Sequence, residues 1–265
     1  MNKLFGLSLL TLLTTSSWAG SIGPDDIGSC CDWSGFYVGI NLGGIRNHSS
    51  GPVTVSSYAG GSSIFPASSQ EFISDKSSFF GGGHIGYNWQ NINGAVFGTE
   101  FSIDGMNLHN PYYLTAAKIP QGSVYVAGDS FTSKNNLQAA WVARIGMGLH
   151  TWLLYALGGV AISHPQLSVN FIETYRSTTL FPQSSGSSSK FLVGSVAGGG
   201  IEYDLSQNFT VGVEYRYVGY GKRQYPVGTV AVYAPTPTTF IYAPVAANMN
   251  FSTNQLALKF NYKFA

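Results

Sequence analysis

Charge is what this chain has least of. Asp, Glu, Lys and Arg make up only 9% of its 265 residues, against roughly 25% in an ordinary soluble domain, which argues against a cytoplasmic enzyme. The 13 basic and 12 acidic residues nearly cancel, so the basic surplus of a nucleic-acid binder is absent as well. Cysteine is limited to the adjacent pair Cys30 and Cys31. Two ligands at that spacing make no zinc site, and no metal or cofactor is expected. The pair reads as part of a tail without a core role, with a vicinal disulfide or a link to another chain as the alternatives in an oxidising compartment. Past the N-terminus no apolar run approaches the ~20 residues of a membrane helix, since Trp152 to Ile162 supplies about half. No capped segment of helical period is present either. Disorder is excluded from the other side, by 44% hydrophobic and 14% aromatic residues.

The N-terminus has the form of a secretory leader. Met1-Asn2-Lys3 is a short positive region, Leu4 to Leu13 an apolar core, and Ser17-Trp18-Ala19 offers small residues where a signal peptidase cuts. Cleavage is expected after Ala19, with Gly20 second. Cys30 lies too far beyond the apolar core for a lipoprotein cysteine. The expected organisation is a signal peptide over 1–19, a periplasmic tail over 20–33 and a barrel over 34–265.

What fills the rest is alternation with period 2, which places every second side chain on one face of a strand. Phe209, Val211, Val213, Tyr215 and Tyr217 share a face opposite Thr210, Gly212, Glu214 and Arg216. Leu256, Leu258, Phe260, Tyr262 and Phe264 likewise oppose Gln255, Ala257, Lys259, Asn261 and Lys263. The pattern predicts eight strands, at about 35–45, 79–89, 94–103, 137–149, 152–162, 190–205, 209–217 and 254–264. Short turns at 90–93, 150–151 and 206–208 alternate with long connections at 46–78, 104–136, 163–189 and 218–253. Short turns on one side and long loops on the other describe an outer-membrane barrel.

A soluble barrel of the lipocalin kind would turn its apolar face inward. Here the ionisable residues share their face with glycine, and the opposite face is aliphatic and aromatic. That polarity suits lipid, where barrel closure satisfies every backbone group. Phe36, Tyr87, Trp89, Trp152, Tyr203, Phe209, Tyr262 and Phe264 all fall near the short-turn strand ends, as an interfacial aromatic girdle requires.

Candidate chemistry is sparse. Gly81-Gly82-Gly83-His84-Ile85-Gly86 fits the dinucleotide fingerprint in letters only, because it lies inside an alternating strand rather than before a helix. His48-Ser49-Ser50 and the isolated His84, His109, His150 and His164 have no acidic neighbour in sequence to support a nucleophile. Lys222-Arg223 is suited to an anionic lipopolysaccharide or glycan, or is simply solvated. The distinctive set is Glu100, Arg144, Glu202, Glu214, Arg216 and Lys259. Counted up from the short turns, these six charges fall in one middle layer of the lumen, three of each sign. An eight-stranded barrel leaves room only for side chains, and charges packed there must pair. Glu100 with Arg144, and Glu214 with Lys259, lie on neighbouring strands. The expected lumen is a polar plug.

Three stretches carry a family resemblance. Trp33-Ser34-Gly35-Phe36-Tyr37-Val38-Gly39 resembles the opening strand of the small opacity-type and porin-family surface antigens of Gram-negative bacteria. Leu154-Tyr155-Ala156-Leu157-Gly158-Gly159-Val160-Ala161 resembles their fifth strand and Val211-Gly212-Val213-Glu214-Tyr215-Arg216-Tyr217 their seventh. One departure is that Ala265 follows Phe264, where such chains commonly end on an aromatic residue. The resemblance implies an all-β, eight-stranded, antiparallel up-and-down transmembrane barrel of the OmpA type, placed in the bacterial outer membrane by the barrel-assembly machinery. Its partners would be outer-membrane lipid and lipopolysaccharide, with a host or surface ligand at the four long surface loops, and it would be a monomer. The expected role is structural or adhesive and not enzymatic. A narrow porin is the alternative, and a lipid A-modifying enzyme the third reading.

Overall fold

A strand that is apolar on one face needs a partner for that face and for both of its edges, and closing the sheet into a ring satisfies the edges. The computed structural model describes residues 32–60, 63–65, 67–115, 125–172, 174–176, 179–206, 208–236 and 239–264. The expected leader over 1–19, the tail up to residue 31 with Cys30 and Cys31, and Ala265 lie outside the described residues. The strands in chain order are β1 (Gly35–Val55), β2 (Tyr58–Gly60), β3 (Ser63–Phe65), β4 (Ser68–Gln90), β5 (Ala95–Tyr113), β6 (Ser130–Leu149) and β7 (Trp152–Ser163). They continue with β8 (Gln166–Phe171), β9 (Thr174–Arg176), β10 (Thr179–Phe181), β11 (Ser184–Ser189), β12 (Leu192–Ser206), β13 (Phe209–Thr236) and β14 (Thr239–Lys263).

Eight of these form a closed antiparallel ring in the order β1-β4-β5-β6-β7-β12-β13-β14, with β14 returning to β1. Every neighbour in the ring follows its partner in sequence apart from the closing pair, so the topology is up-and-down. Closure runs from Tyr37↔Lys263 to Val55↔Val245. The short turns fall where the alternation stops. At the two-residue turn between β6 and β7, His150 takes the left-handed φ of 53°.

The long connections differ from their reading as loops, because much of them is strand. β13 and β14 span 28 and 25 residues, whereas a tilted strand crosses a bilayer in roughly 9–11. These two form one hairpin up to Thr236↔Thr239, and β8 and β11 widen the wall beside β6. β4 pairs with β5 only from Phe80↔Met106 down to the short turn, so the wall parts above that rung.

Two physical changes concealed the extensions. First, the polarity of the lumen inverts. Towards the short turns the buried face is polar. Towards the long-loop end it is apolar, with Val53, Phe72, Phe131, Leu167, Tyr225, Val245 and Met249 each at most 2% exposed. Tyr125 closes on this upper core, donating its hydroxyl to the Val53 carbonyl at 2.6 Å. The upper part therefore has the ordinary polarity of a water-soluble barrel. Second, bulges flip the phase. Glu214, Arg216 and Val218 point inward below the Gly219/Gly221 irregularity of β13, while Tyr225 and Val227 point inward above it. Gly221 takes the bulge with a φ of 67°, a region glycine enters without strain.

Candidate functional site

Glu100 sits at the centre of the lumen. Its β5 neighbours Phe97, Phe101 and Ile103 face outward while Glu100, Ser102 and Asp104 face in. Lys259 of β14 reaches it with Nζ 2.7 Å from both carboxylate oxygens. Arg216 of β13 donates from Nη2 to Oε1 at 2.6 Å, and Arg144 of β6 lies 3.3 Å from Oε2. Tyr37 of β1 donates its hydroxyl to Oε2 at 2.7 Å and accepts from Arg144 at 2.6 Å.

The other two carboxylates extend the network across the lumen. Glu202 of β12 takes the second guanidinium nitrogen of Arg144 and the side-chain amide of Asn261. Glu214 of β13 accepts from Arg216 and from Tyr155 of β7, the latter at 2.7 Å. The Arg144 guanidinium lies 3.8 Å from the Tyr155 ring centroid, a cation–π contact. Asn261 spends its Nδ2 on Glu202 and Thr210, so its Oδ1 faces His84 of β4 and accepts from His84 Nε2 at 2.6 Å. That contact fixes the histidine tautomer as the one protonated on Nε2. Each of the eight ring strands thus contributes at least one side chain to a continuous polar network.

All six sequence-identified charges belong to it, and each is at most 4% exposed. Their pairing differs in detail from neighbour-on-neighbour matching. Lys259 stands opposite Gly212 rather than Glu214. Its contact with Glu214 is diagonal at 3.2 Å, and its shorter contacts go across the lumen to Glu100. A narrow barrel makes opposite walls as close as adjacent strands. Glycine supplies the room: a Cβ at Gly86 would stand 2.3 Å from the Tyr37 ring, and one at Gly200 would stand 2.5 Å from the Tyr155 hydroxyl.

Sequence reasoning did not single out Tyr37, Tyr155 and Ser102; His84, read from its strand position as a hydrogen-bonded interior histidine, and Asn261, on the inward face of its strand, join them in the network. The inward parity of both tyrosines was visible in the alternation, but parity alone names no partner. Asp104 lies beside the network, accepting from Asn41 Nδ2 at 2.9 Å. At the short-turn mouth Trp33, assigned by sequence to the tail, is 2% exposed and donates its backbone N–H to Gln90. It caps the lumen from below. Above the network an apolar layer of Ile45, Phe80, Met106, Leu108 and Ala257 leads to the upper core. Between them lies a cavity of about 10 Å³ beside Asn47, Leu108, Ser133 and Tyr220, on the order of one water molecule.

The eight girdle aromatics lie on the outer surface around the short-turn end. They meet in pairs, with ring centroids 5.7 Å apart for Phe36 and Phe264, 4.6 Å for Tyr87 and Trp89, 4.7 Å for Trp152 and Tyr203, and 5.2 Å for Phe209 and Tyr262. A second set, Phe79, Trp141, Tyr217 and Phe191, is exposed nearer the other end. All four fall inside predicted strands, but sequence reading grouped aromatics only at the short-turn ends.

His48 has an acidic partner that sequence did not show: Nδ1 lies 2.7 Å from Asp75 across the β1–β4 pair, on the outer wall. Among the described residues no hydroxyl hydrogen-bonds to the His48 ring.

Comparison with known proteins follows the same architecture. The family model described as outer membrane protein beta-barrel domain matches residues 5–264. The 31 kDa outer-membrane immunogenic protein of Brucella melitensis is 27% identical over 247 residues, 88% of this chain and 84% of that protein. A 22 kDa outer membrane protein of Rhizobium leguminosarum bv. viciae is 24% identical over 195 residues, 73% of this chain and 67% of that one. Among solved structures, the outer membrane protein OprG from Pseudomonas aeruginosa aligns with a TM-score of 0.45 at 13% identity, over 87% of this chain and 96% of that one.

Proposed function

The chain belongs to the outer-membrane β-barrel protein family, and from that premise we propose that it is a monomeric, non-enzymatic surface protein with a closed lumen. Its projecting barrel end serves contact with other surfaces, a host or environmental ligand included. Residues 1–19 direct export, the assembly machinery inserts the barrel, and the short turns face the periplasm, the usual orientation of such barrels.

The observation that carries this reading is the network on Glu100, to which every ring strand contributes. A pore needs a continuous wet path. Here three carboxylates and three cations are buried against one another, Trp33 lies below them, and apolar layers lie above. The projecting end supports the contact role. Its core is packed, which holds the outer wall rigid, and that wall is rich in serine, threonine and asparagine. Rigid polar surfaces bind with little ordering cost. An enzymatic role finds no support in the His48–Asp75 pair, which has no activated hydroxyl.

Single-channel recording of the refolded protein in a planar bilayer tests the proposal. The expected record is flat, without conductance steps across the accessible voltage range. Regular steps at one conductance would overturn the closed lumen and favour the porin reading.

A further inference from the structure

On the outer wall, four strands present an outward rung in register: Phe79 on β4, Gly44 on β1, Leu256 on β14 and Tyr215 on β13. Glycine in the second place leaves a hollow. A Cβ at Gly44 would meet nothing within 4 Å, and the hollow opens into a groove of about 410 Å³ lined mainly by apolar surface. Phe79, 86% exposed, forms one flank at the point where β4 leaves β5.

The rung above carries Arg46, flanked by Ser77 and Asn254. The Arg46 side chain is 65% exposed and, among the described residues, has a single ion pair, to Asp75 at 3.5 Å. Most of its five N–H donors are therefore free. Asn254 accepts from the Tyr215 hydroxyl at 2.6 Å through Oδ1, leaving its amide nitrogen as a donor at the groove's upper lip. Higher still, the outward positions are His48, Ser252 and then Ser50, Asn250 and Lys222, a face of hydroxyls and amides with one more cation.

Height decides what this groove meets. Arg46 is ten residues above the girdle residue Phe36. At about 3.3 Å per residue and a tilt near 40°, that is roughly 25 Å along the barrel normal, the height of the apolar band of such barrels. Arg46 therefore lies at the far boundary of the hydrocarbon, with the apolar hollow just inside it and the polar face just outside.

We propose that this groove is a binding site for a phosphorylated acyl glycolipid of the outer leaflet. One acyl chain lies over Gly44 between Phe79 and Leu256, a phosphate rests on Arg46, and sugar hydroxyls meet the polar rungs above. Arginine offers a planar fork that matches phosphate oxygens, and the hollow gives a chain more contact than the ordinary convex wall does. The site depends on the outer-membrane location and not on whether the lumen conducts.

The test uses the refolded full-length barrel in detergent and native mass spectrometry, with diphosphoryl lipid A as the probe. Digalactosyl diacylglycerol serves as a phosphate-free glycolipid and dioleoyl phosphatidylglycerol as a phospholipid. Heat-modifiable gel migration confirms that each variant is folded. The wild type should retain one lipid A in preference to both comparison lipids. Arg46→Gln and Gly44→Leu should each lower retention about tenfold, as loss of a charge-assisted contact or of the acyl hollow implies, and Arg46→Lys should recover part of it. Gly158→Leu, an outward glycine of β7 whose Cβ would find its nearest neighbour at 3.8 Å, should bind as the wild type does. Unchanged retention in Arg46→Gln and Gly44→Leu would overturn the site. Equal retention of the phosphate-free glycolipid, or of phosphatidylglycerol, would overturn the assignment of its ligand.

Discussion

Replacing Glu100 with glutamine keeps the shape of the side chain and removes the carboxylate that Lys259, Arg144 and Arg216 share. At 2.7 Å and an effective dielectric near 20, a single such pair is worth about 6 kcal/mol. The full amount is not lost, because each cation keeps a second partner. Arg144 retains Glu202, Arg216 retains Glu214, and Lys259 retains its longer contact with Glu214 at 3.2 Å. The cost of burying the Glu100 charge also disappears. What remains is a buried network in which the cations outnumber the carboxylates by one, a situation that typically costs about 3–5 kcal/mol. With a urea slope of about 2 kcal/mol/M, the unfolding midpoint of the refolded protein should fall by about 1.5–2.5 M. Adding Lys259→Met removes the surplus charge, so the double mutant should be more stable than the sum of the two single effects by about 1–3 kcal/mol. Glu214→Gln combined with Lys259→Met should show weaker coupling, as the longer contact requires. Additivity within about 0.5 kcal/mol for Glu100 and Lys259 would refute the argument, since uncoupled charges are solvated charges.

Two further perturbations test the outer wall. Val213→Arg places a cation on the outward face of β13 within the apolar band and should cost about 2–4 kcal/mol, whereas Ser187→Arg on the exposed face of β11 should change stability by less than about 0.5 kcal/mol. The folded fraction on unheated gels reads both, and equal tolerance would show that the outer apolar face does not meet lipid. Asp75, above the apolar band, has its carboxyl held below the usual range, chiefly by the hydrogen bond with His48, with the His48 and Arg46 charges adding to it against the opposing effect of burial. A depressed folded pKa gives a contribution that is complete above about pH 4 and lost as the pH falls through the folded value. The midpoints of wild type and Asp75→Asn should therefore differ slightly at about pH 6 and converge as the pH falls through the folded value, and a difference that stays constant would refute the pairing.

The lower half of the barrel was legible because lipid imposes one rule along each strand. Phe209 to Tyr217 and Gln255 to Phe264 alternate without interruption, with apolar residues out and polar or small residues in. A strand crossing hydrocarbon has no other arrangement open to it. The same rule exposed the short turns, the girdle from Phe36 to Phe264, and the six charges as inward residues at similar heights. Alternation reports parity and height, and those properties are local to one strand.

Three things lay beyond it. Which charges touch depends on the width and shear of the closed ring, so Lys259 finds Glu100 across the lumen more closely than Glu214 beside it, and no count along single strands contains that distance. The partnership of Tyr37 and Tyr155 with carboxylates depends on the space left by Gly86 and Gly200 on neighbouring strands. The length of the strands depends on where lipid ends. Above that level the solvent outside is water, the apolar face turns inward, and the bulge at Gly221 shifts the phase. β13 therefore continues through residues whose pattern, read by the rule for lipid, looks like a loop. Sequence determined which side chains face the lumen wherever a single solvent acts on the wall; the tertiary structure decided which of them meet, and where the solvent changes.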